Sequence, residues 1–155
     1  MYRDRVRLPS LLDKVMSAAE AADLIQDGMT VGMSGFTRAG EAKAVPQALA
    51  MQLTEAGVLA RRMPFQVDST LRKAINAGEV MFIDQHLSET VEQLRNHQLK
   101  LPDIAVIEAA AITEQGHIVP TTSVGNSASF AIFAKQVIVE INLAHSTNLE
   151  GLHDI

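Results

Sequence analysis

The sequence predicts an α/β fold with an open, mostly parallel sheet and helices on both faces. Helix-like and strand-like segments alternate along the chain, as they do in proteins built from β-α-β units. The strand-like segments are mostly apolar and lack the polar–apolar alternation of a sheet with one solvated face. With 155 residues, of which 47% are hydrophobic, the chain is long enough for one domain with its own core.

The first part of the chain predicts a helix, a strand and a second helix. Ser17 and Glu20 have the spacing of a capping box, which begins a helix, and Gly28 follows its predicted end. A short buried strand is predicted from Met29 to Met33, and a loop follows it. Pro46 suits the first turn of the next helix.

The remaining elements are predicted from apolar periodicity, helix caps and turn signals such as Gly78 and Gln115-Gly116. In chain order, they are an extended segment over 61–67, a helix over 68–76, a strand over 80–83, a helix capped by Ser88, a strand over 104–110, a helix over 127–135 and a strand over 137–141. Glu108 and Glu140 interrupt two of these apolar strands. A place in the site or at the interface between the two halves stays open for each, and a structural ion pair is the favoured explanation.

Composition excludes several classes of protein. The net charge is −5 and no basic cluster is visible, so we expect no nucleic-acid partner. The longest apolar stretch, 128–143, contains Lys135, Gln136 and Glu140, so we expect no membrane span. There is no cysteine, which excludes disulfides and thiolate metal ligands. The five histidines have no metal-ligand spacing, so no metal site is predicted.

The basic N-terminus, residues 1–7, is expected to be a solvated arm that crosses a domain or subunit surface. No secretory apolar core follows it, and the acidic residues Asp4 and Asp13 oppose an organelle transit peptide. We therefore expect a cytoplasmic protein, with a mitochondrial location open if the source is eukaryotic.

The most informative stretch is the glycine-containing segment from Asp27 to Gly40, which leaves the first predicted strand. Loops at the carboxyl ends of strands bind ligands in open α/β sheets. Gly35 and Gly40 have P-loop spacing, but Glu41 stands where that motif needs lysine, which excludes a nucleotide triphosphate site. A nucleophile elbow around Ser34 needs glycine where Phe36 stands, so the serine-hydrolase interpretation is weak.

The segment instead resembles the N-terminal signature of the acetyl-CoA hydrolase/transferase family. An apolar strand is followed by Ser34-Gly-Phe-Thr37 and then by Gly40, although Glu41 and Ala42 replace a usual aromatic residue and a usual proline. Further similar segments follow in order along nearly the whole chain: 44–48, 61–64, 71–78, 84–88, 118–126, 137–142 and 151–155. The family includes succinyl-CoA:acetate and propionyl-CoA:succinate CoA-transferases.

The resemblance implies transfer of coenzyme A between an acyl-CoA and a small carboxylate such as acetate, succinate or propionate, or hydrolysis of acetyl-CoA. A glutamate attacks the thioester to give an anhydride and then a glutamyl-CoA intermediate. That glutamate belongs to a second domain, so no catalytic residue is expected in this chain. Coenzyme A is a substrate, and no permanently bound cofactor is implied. Full-length members are commonly homodimers.

The resemblance also implies two missing parts. Residues 1–155 correspond to a single CoA-transferase N-terminal domain without the C-terminal catalytic domain. A strand, a Thr-Gly-Ala-Ser loop and a helix also have no counterpart near residues 50–57, and we place the join at 52–54.

We nominate two segments as lining an acyl or substrate pocket, with no metal ligand among them: Gly35, Phe36, Thr37 and Gly40 in the first, and Ser123, Gly125 and Asn126 in the second. Backbone amides of such loops stabilise developing oxyanions. Core packing is an equal alternative for Phe36, and helix capping is the favoured alternative for Asn126. Two other functions stay open: a truncated, non-catalytic domain that only pairs with a partner subunit, and a small α/β serine hydrolase using Ser34.

Overall fold

The computed structural model describes residues 2–36, 39–52, 61–62, 69–78, 81–82, 85–152 and 155. The helices are α1 (Ala18–Ala22), α2 (Ala44–Gln52), α3 (Ser69–Asn76), α4 (Leu87–Arg95) and α5 (Ser127–Phe133). The strands are β1 (Val31–Met33), β2 (Arg61–Arg62), β3 (Met81–Phe82), β4 (Ile104–Ile112), β5 (Ile118–Pro120) and β6 (Gln136–Ile141). Single 3₁₀ turns lie at Tyr2–Asp4, Pro9–Lys14 and Thr147–Leu149.

Strand β4 is the centre of the main sheet. Its first half pairs in parallel with β1 on one side and with β6 on the other, with Ile104 opposite both Val31 and Gln136. Its second half pairs with β5, which is antiparallel. All nine residues of β4 are buried, which explains why its sequence is a nearly continuous apolar run. The predicted fold class, open and mostly parallel, is confirmed; strands β2 and β3 form a separate parallel pair.

Helices cover both faces of the main sheet. On one face, α1 and α2 pack Ala22 and Val45 against Ile104 and Val106. Helix α5 lies on the other face. Successive residues of a strand point to opposite faces, so Gly32 faces away from Val31 and Met33, and it contacts Phe130 of α5. A β-carbon on Gly32 would lie 2.9 Å from Cγ of Phe130, so the absence of a side chain lets this helix approach the sheet.

Most of the predicted elements are present. The Ser17–Glu20 capping box is formed in full, and β4 extends two residues beyond its predicted end. The prediction that Ser88 caps α4 is wrong: His86 occupies that position, and its backbone N–H donates to Oε2 of Glu89 at 3.2 Å. Residues 63–67 of the predicted extended segment and the proposed join at 53–54 lie outside the described residues. None of the helices in the described ranges is long and apolar enough to cross a membrane.

The N-terminal arm lies against the main sheet. The guanidinium of Arg5 donates to three carbonyl oxygens, those of Ala110 at 3.0 Å, His145 at 2.7 Å and Leu143 at 3.2 Å. Val6 is 5% exposed and forms a parallel bridge with Ile112 at the end of β4. The expectation of a solvated arm is therefore wrong for Arg5 and Val6, because their backbone and side-chain groups complete the hydrogen bonding of the sheet.

Candidate functional site

The two nominated segments meet beyond the carboxyl end of β1. We call them the glycine loop (residues 34–40, described except for 37 and 38) and the serine turn (residues 121–126). Gly40 has φ +61°, and a β-carbon on it would lie 2.8 Å from the carbonyl oxygen and 3.0 Å from the amide nitrogen of Ser123. A β-carbon on Gly125 would lie 3.9 Å from the carbonyl oxygen of Gly35. Four of the seven nominated residues are thus neighbours in space.

Ser34 joins the glycine loop to the central strand. Its hydroxyl accepts a hydrogen bond from the backbone N–H of Glu108 at 2.8 Å and donates one to the carbonyl oxygen of Gly40 at 2.8 Å. The residue is 5% exposed. At the end of β1, the hydroxyl therefore takes the place of a backbone carbonyl as the acceptor for the N–H of Glu108 in β4. This is a structural role, and it gives no support to Ser34 as a nucleophile.

Phe36 is not a core residue, since 46% of its surface is exposed. Its backbone exchanges two hydrogen bonds with Ala39, at 2.9 and 3.0 Å. Core packing does not account for an aromatic side chain in this position. Thr37, nominated for its hydroxyl, lies outside the described residues.

Asn126 precedes α5, and its carbonyl oxygen accepts from the backbone N–H of Phe130 at 3.0 Å. Its side chain does not cap the helix, so the favoured alternative for Asn126 is wrong as far as the side chain is concerned. A role in orienting a substrate stays a prediction.

Glu108 lies beneath these two segments, with 3% of its surface exposed. Its carboxylate accepts hydrogen bonds from the hydroxyl of Thr121 and from Nδ2 of Asn142, the latter at 2.7 Å. The ammonium nitrogen of Lys43 lies 3.6 Å from Oε1, so the expected ion pair is present. One signal of this cluster is visible in the sequence, a lone acidic residue in an apolar strand, but nothing there indicates Thr121 or Asn142 as its partners.

The Glu108 carboxyl is an acid that stays ionised. Burial raises its pKa, but the hydrogen bonds from Thr121 and Asn142 and the positive charges of Lys43 and His145 outweigh that effect. The pKa of Glu108 therefore lies below its ordinary value. Because both carboxylate oxygens accept hydrogen bonds in a buried site, this group is poorly placed to attack a substrate.

Glu140, the register partner of Glu108 on β6, has a different role from the one expected. Its carboxylate accepts from the backbone N–H groups of Lys43 at 2.8 Å and Val45 at 3.1 Å. These amides lie at the start of α2, whose positive end favours an anion. Among the described residues Glu140 has no ion-pair partner, and its carboxylate caps this helix instead of forming the expected ion pair.

The ammonium of Lys43 also donates to the carbonyl oxygen of Glu41 at 2.8 Å, and half of its side chain is exposed. Within the described ranges, no group of three or more histidines, aspartates and glutamates is placed to hold a metal ion. The groups that the described residues present at this site include backbone amides, hydroxyl groups and the half-exposed ammonium of Lys43.

The sequence matches the family profile described as the acetyl-CoA hydrolase/transferase N-terminal domain, over residues 3–57 and 51–155. It is 40% identical to a succinyl-CoA:acetate CoA-transferase of Clostridium kluyveri, over 97% of this chain and 33% of that protein. It is 38% identical to an acetyl-CoA hydrolase of Kluyveromyces lactis, over 100% of this chain and 36% of that protein. The chain thus spans about a third of the length of these curated relatives.

The fold is also similar to that of a solved structure. A 4-hydroxybutyrate CoA-transferase from Porphyromonas gingivalis matches with a TM-score of 0.61 and 22% sequence identity. The match covers 92% of this chain and 34% of that one.

Proposed function

The chain belongs to the acetyl-CoA hydrolase/transferase family, and from that premise we propose that it supplies one wall of the acyl pocket of a CoA-transferase or acyl-CoA hydrolase. The reaction moves coenzyme A from an acyl-CoA thioester to a small carboxylate of the acetate, succinate or propionate class. Water as the acceptor gives hydrolysis. The protein acts in the cytoplasm, or in mitochondria if its source is eukaryotic.

The observation that carries this proposal is the contact between Gly40 and Ser123 beyond the carboxyl end of β1. Ligands of open α/β sheets bind at that end of the strands. Glycines with positive φ allow backbone amides to approach a ligand without an intervening side chain. The exposed side chain of Phe36 supplies an apolar surface next to these amides.

We propose that the attacking glutamate comes from outside residues 1–155. It attacks the thioester carbonyl, forming an acyl–glutamyl anhydride and releasing the coenzyme A thiolate. The thiolate then forms a glutamyl-CoA thioester and releases the first carboxylate, and the acceptor carboxylate finally takes the coenzyme A. Glu108, an acid that lies beneath the two pocket segments, is buried and hydrogen-bonded. This supports a nucleophile from another part of the protein.

The domain organisation is a proposal of its own. We infer that a strand, a loop and a helix are missing near residues 50–57, and that the catalytic domain follows this one. The family profile is matched in two stretches that overlap at 51–57. The alignment with the K. lactis relative occupies 188 positions, although this chain has 155 residues. Sequencing the gene across codons 50–61 and beyond codon 155 tests both parts of this inference.

The activity is tested by mixing the chain with the remaining part of the C. kluyveri relative, produced separately. We expect no thioester turnover by either part alone and coenzyme A transfer to acetate by the mixture. A matched control replaces the glutamate nucleophile of the added part by glutamine, which should abolish transfer.

Two results would contradict the proposal. A mixture that forms a complex on size-exclusion chromatography but transfers no coenzyme A favours a domain that only pairs with a partner. Thioester hydrolysis by the chain alone, lost in Ser34→Ala, favours the serine hydrolase instead.

A further inference from the structure

One residue of β4 is bonded to both segments of the candidate pocket. The backbone N–H of Glu108 donates to the hydroxyl of Ser34, and that hydroxyl donates to the carbonyl oxygen of Gly40 in the glycine loop. The carboxylate of Glu108 accepts from the hydroxyl of Thr121, two residues before Ser123 in the serine turn. Both segments are therefore attached to Glu108 within two hydrogen bonds.

The same carboxylate reaches two further parts of the chain. Asn142, which follows β6, donates to Oε1 at 2.7 Å, and its own Oδ1 accepts from the backbone N–H of Ala144 at 3.0 Å. The ammonium of Lys43, which precedes α2, lies 3.6 Å from Oε1. Three chain segments that are distant in sequence thus converge on one acidic side chain, and a fourth, at Ser34, is bonded to the backbone of the same residue.

Packing of the sheet does not require an acid in this position. The neighbouring residues of β4 that face the same way are Val106 and Ala110, and both are fully buried. Burying a carboxylate is costly unless hydrogen bonds and opposite charges compensate for the lost water. An apolar side chain would fill the space without this cost. We therefore attribute the presence of the carboxylate to the hydrogen bonds and the ion pair that it forms.

We propose that Glu108 is a positioning residue that does not contact substrate itself: its carboxylate holds the serine turn through Thr121, and the serine turn packs on Gly40 of the glycine loop. The inference rests on the proposed function only in treating these two segments as the acyl pocket. The attachment itself can be measured on the 155-residue chain without any substrate, so its failure is distinguishable from failure of the proposed activity.

The first test is amide hydrogen exchange in Glu108→Gln. Glutamine keeps the size of the side chain but removes its negative charge, so the bonds at Thr121 and Asn142 are no longer charge-assisted and the attraction to Lys43 is lost. We expect the amides of Phe36, Ala39 and Ser127 to exchange about tenfold faster or more, because local opening of the two segments becomes easier.

The matched control is Asp103→Asn at the opposite end of β4. The Asp103 carboxylate accepts from the backbone N–H of Thr30 at 2.9 Å and from the ammonium of Lys135 at 2.7 Å, far along the strand from the pocket segments. We expect the core amides of Ile107 and Val139 to exchange faster in this variant than in the wild type. The exchange rates of Phe36 and Ala39 should not increase by more than those of the core amides. Equal acceleration of the loop amides in both variants would overturn the proposal.

A pH titration followed by amide NMR adds a signature that a loss of stability alone does not produce. The charged and titratable groups around Glu108 are Lys43 before α2, Glu140 on β6, His145 after β6 and Arg5 of the N-terminal arm. We expect the signals of Phe36, Ala39 and Ser127 to shift together, with a midpoint below the value of about 4.3 for an unperturbed glutamate.

This acidic step should be absent in Glu108→Gln. If Glu108→Gln does not fold, Thr121→Val removes one donor and leaves the charge in place. In that variant the amide of Ser127 should exchange faster while those of Phe36 and Ala39 stay closer to wild type. An acidic step that persists in Glu108→Gln, or exchange of Ser127 unchanged in Thr121→Val, would refute the role of Glu108.

Discussion

Gly40 lies directly against the backbone of Ser123: a methyl group on its α-carbon would stand 2.8 Å from the Ser123 carbonyl oxygen. Real β-carbons do not approach backbone oxygen so closely, so the two segments meet only because residue 40 is glycine. The contact brings together residues that are 83 positions apart in the sequence.

Replacement of Gly40 by alanine should destabilise the fold by about 2–5 kcal/mol. A left-handed conformation costs an alanine about 1–2 kcal/mol, and overpacking adds a further ~1–3 kcal/mol. Urea unfolding of the chain measures the difference. The control is Gly28→Ala, where φ is +80° but no atom lies within 4 Å of the added β-carbon. Gly28→Ala should lower the free energy of unfolding only by the cost of the left-handed conformation. Equal decreases in both variants would show that the contact with Ser123 is not tight.

Replacement of Ser34 by alanine should lower the free energy of unfolding by about 1–3 kcal/mol, since a buried N–H and a buried carbonyl lose their partner. Ser146→Ala is the control, because its hydroxyl is exposed and accepts from the backbone N–H of Asn148 at 3.1 Å. We expect that variant to lose less than half as much. Equal stability of Ser34→Ala and wild type would mean that water replaces the hydroxyl in this position.

Replacement of Gly32 by alanine should destabilise the protein by about 1–3 kcal/mol, because the new methyl group would displace the ring of Phe130. The double variant Gly32→Ala/Phe130→Ala should recover part of this loss, because alanine lacks the Cγ and Cδ1 atoms that the new methyl group would meet. Thermal unfolding of the two single variants and the double variant forms a cycle whose interaction term should be favourable. Strict additivity would indicate that α5 does not press on β1 at this position.

Acid should weaken the fold through Asp103 and Glu108. The pKa of Asp103 is lowered, first by the hydrogen bond from Lys135 and then by those from the Thr30 amide and Lys100. The pKa of Glu108 is lowered as well. A carboxyl whose folded pKa is depressed contributes stability above its unfolded pKa of about 4, and that contribution is lost as the pH falls.

We therefore expect the melting temperature to be constant between about pH 5 and 7 and to fall below about pH 4. The fall should be shallower in the double variant Asp103→Asn/Glu108→Gln, although its melting temperature at pH 7 is lower. Parallel curves for the variant and the wild type would assign the acid sensitivity to other groups.

The elements that could be predicted from the sequence are those whose signals are local. The Ser17 capping box and the apolar run of β4 lie within a few residues of the structure that they form. Strand β5 was missed because it has three residues, of which Pro120 reads as a strand breaker. Ser88 is a better N-cap residue by type than His86, but Glu89 has capping-box spacing from His86, and that contact decides where α4 begins.

The candidate site divides in the same way. Gly35, Gly40 and Ser123 were nominated from motifs, and the structure brings them together, while their part in catalysis stays a prediction. The partners of Glu108 lie 13, 34 and 65 positions away in the sequence, at Thr121, Asn142 and Lys43. Long-range pairings of this kind leave no periodic or spaced pattern, so only the fold reveals them. The contacts of Arg5 with Ala110 and His145 were missed for the same reason.

The shared attachment of two segments to Glu108 has a consequence for how such a protein can diverge. A substitution that moves the glycine loop changes the position of Ser34 and, through Glu108, the position of Thr121. Changes of specificity in this part of the protein should therefore arise as compensated sets across both segments, and laboratory libraries that randomise one segment alone should return few folded variants.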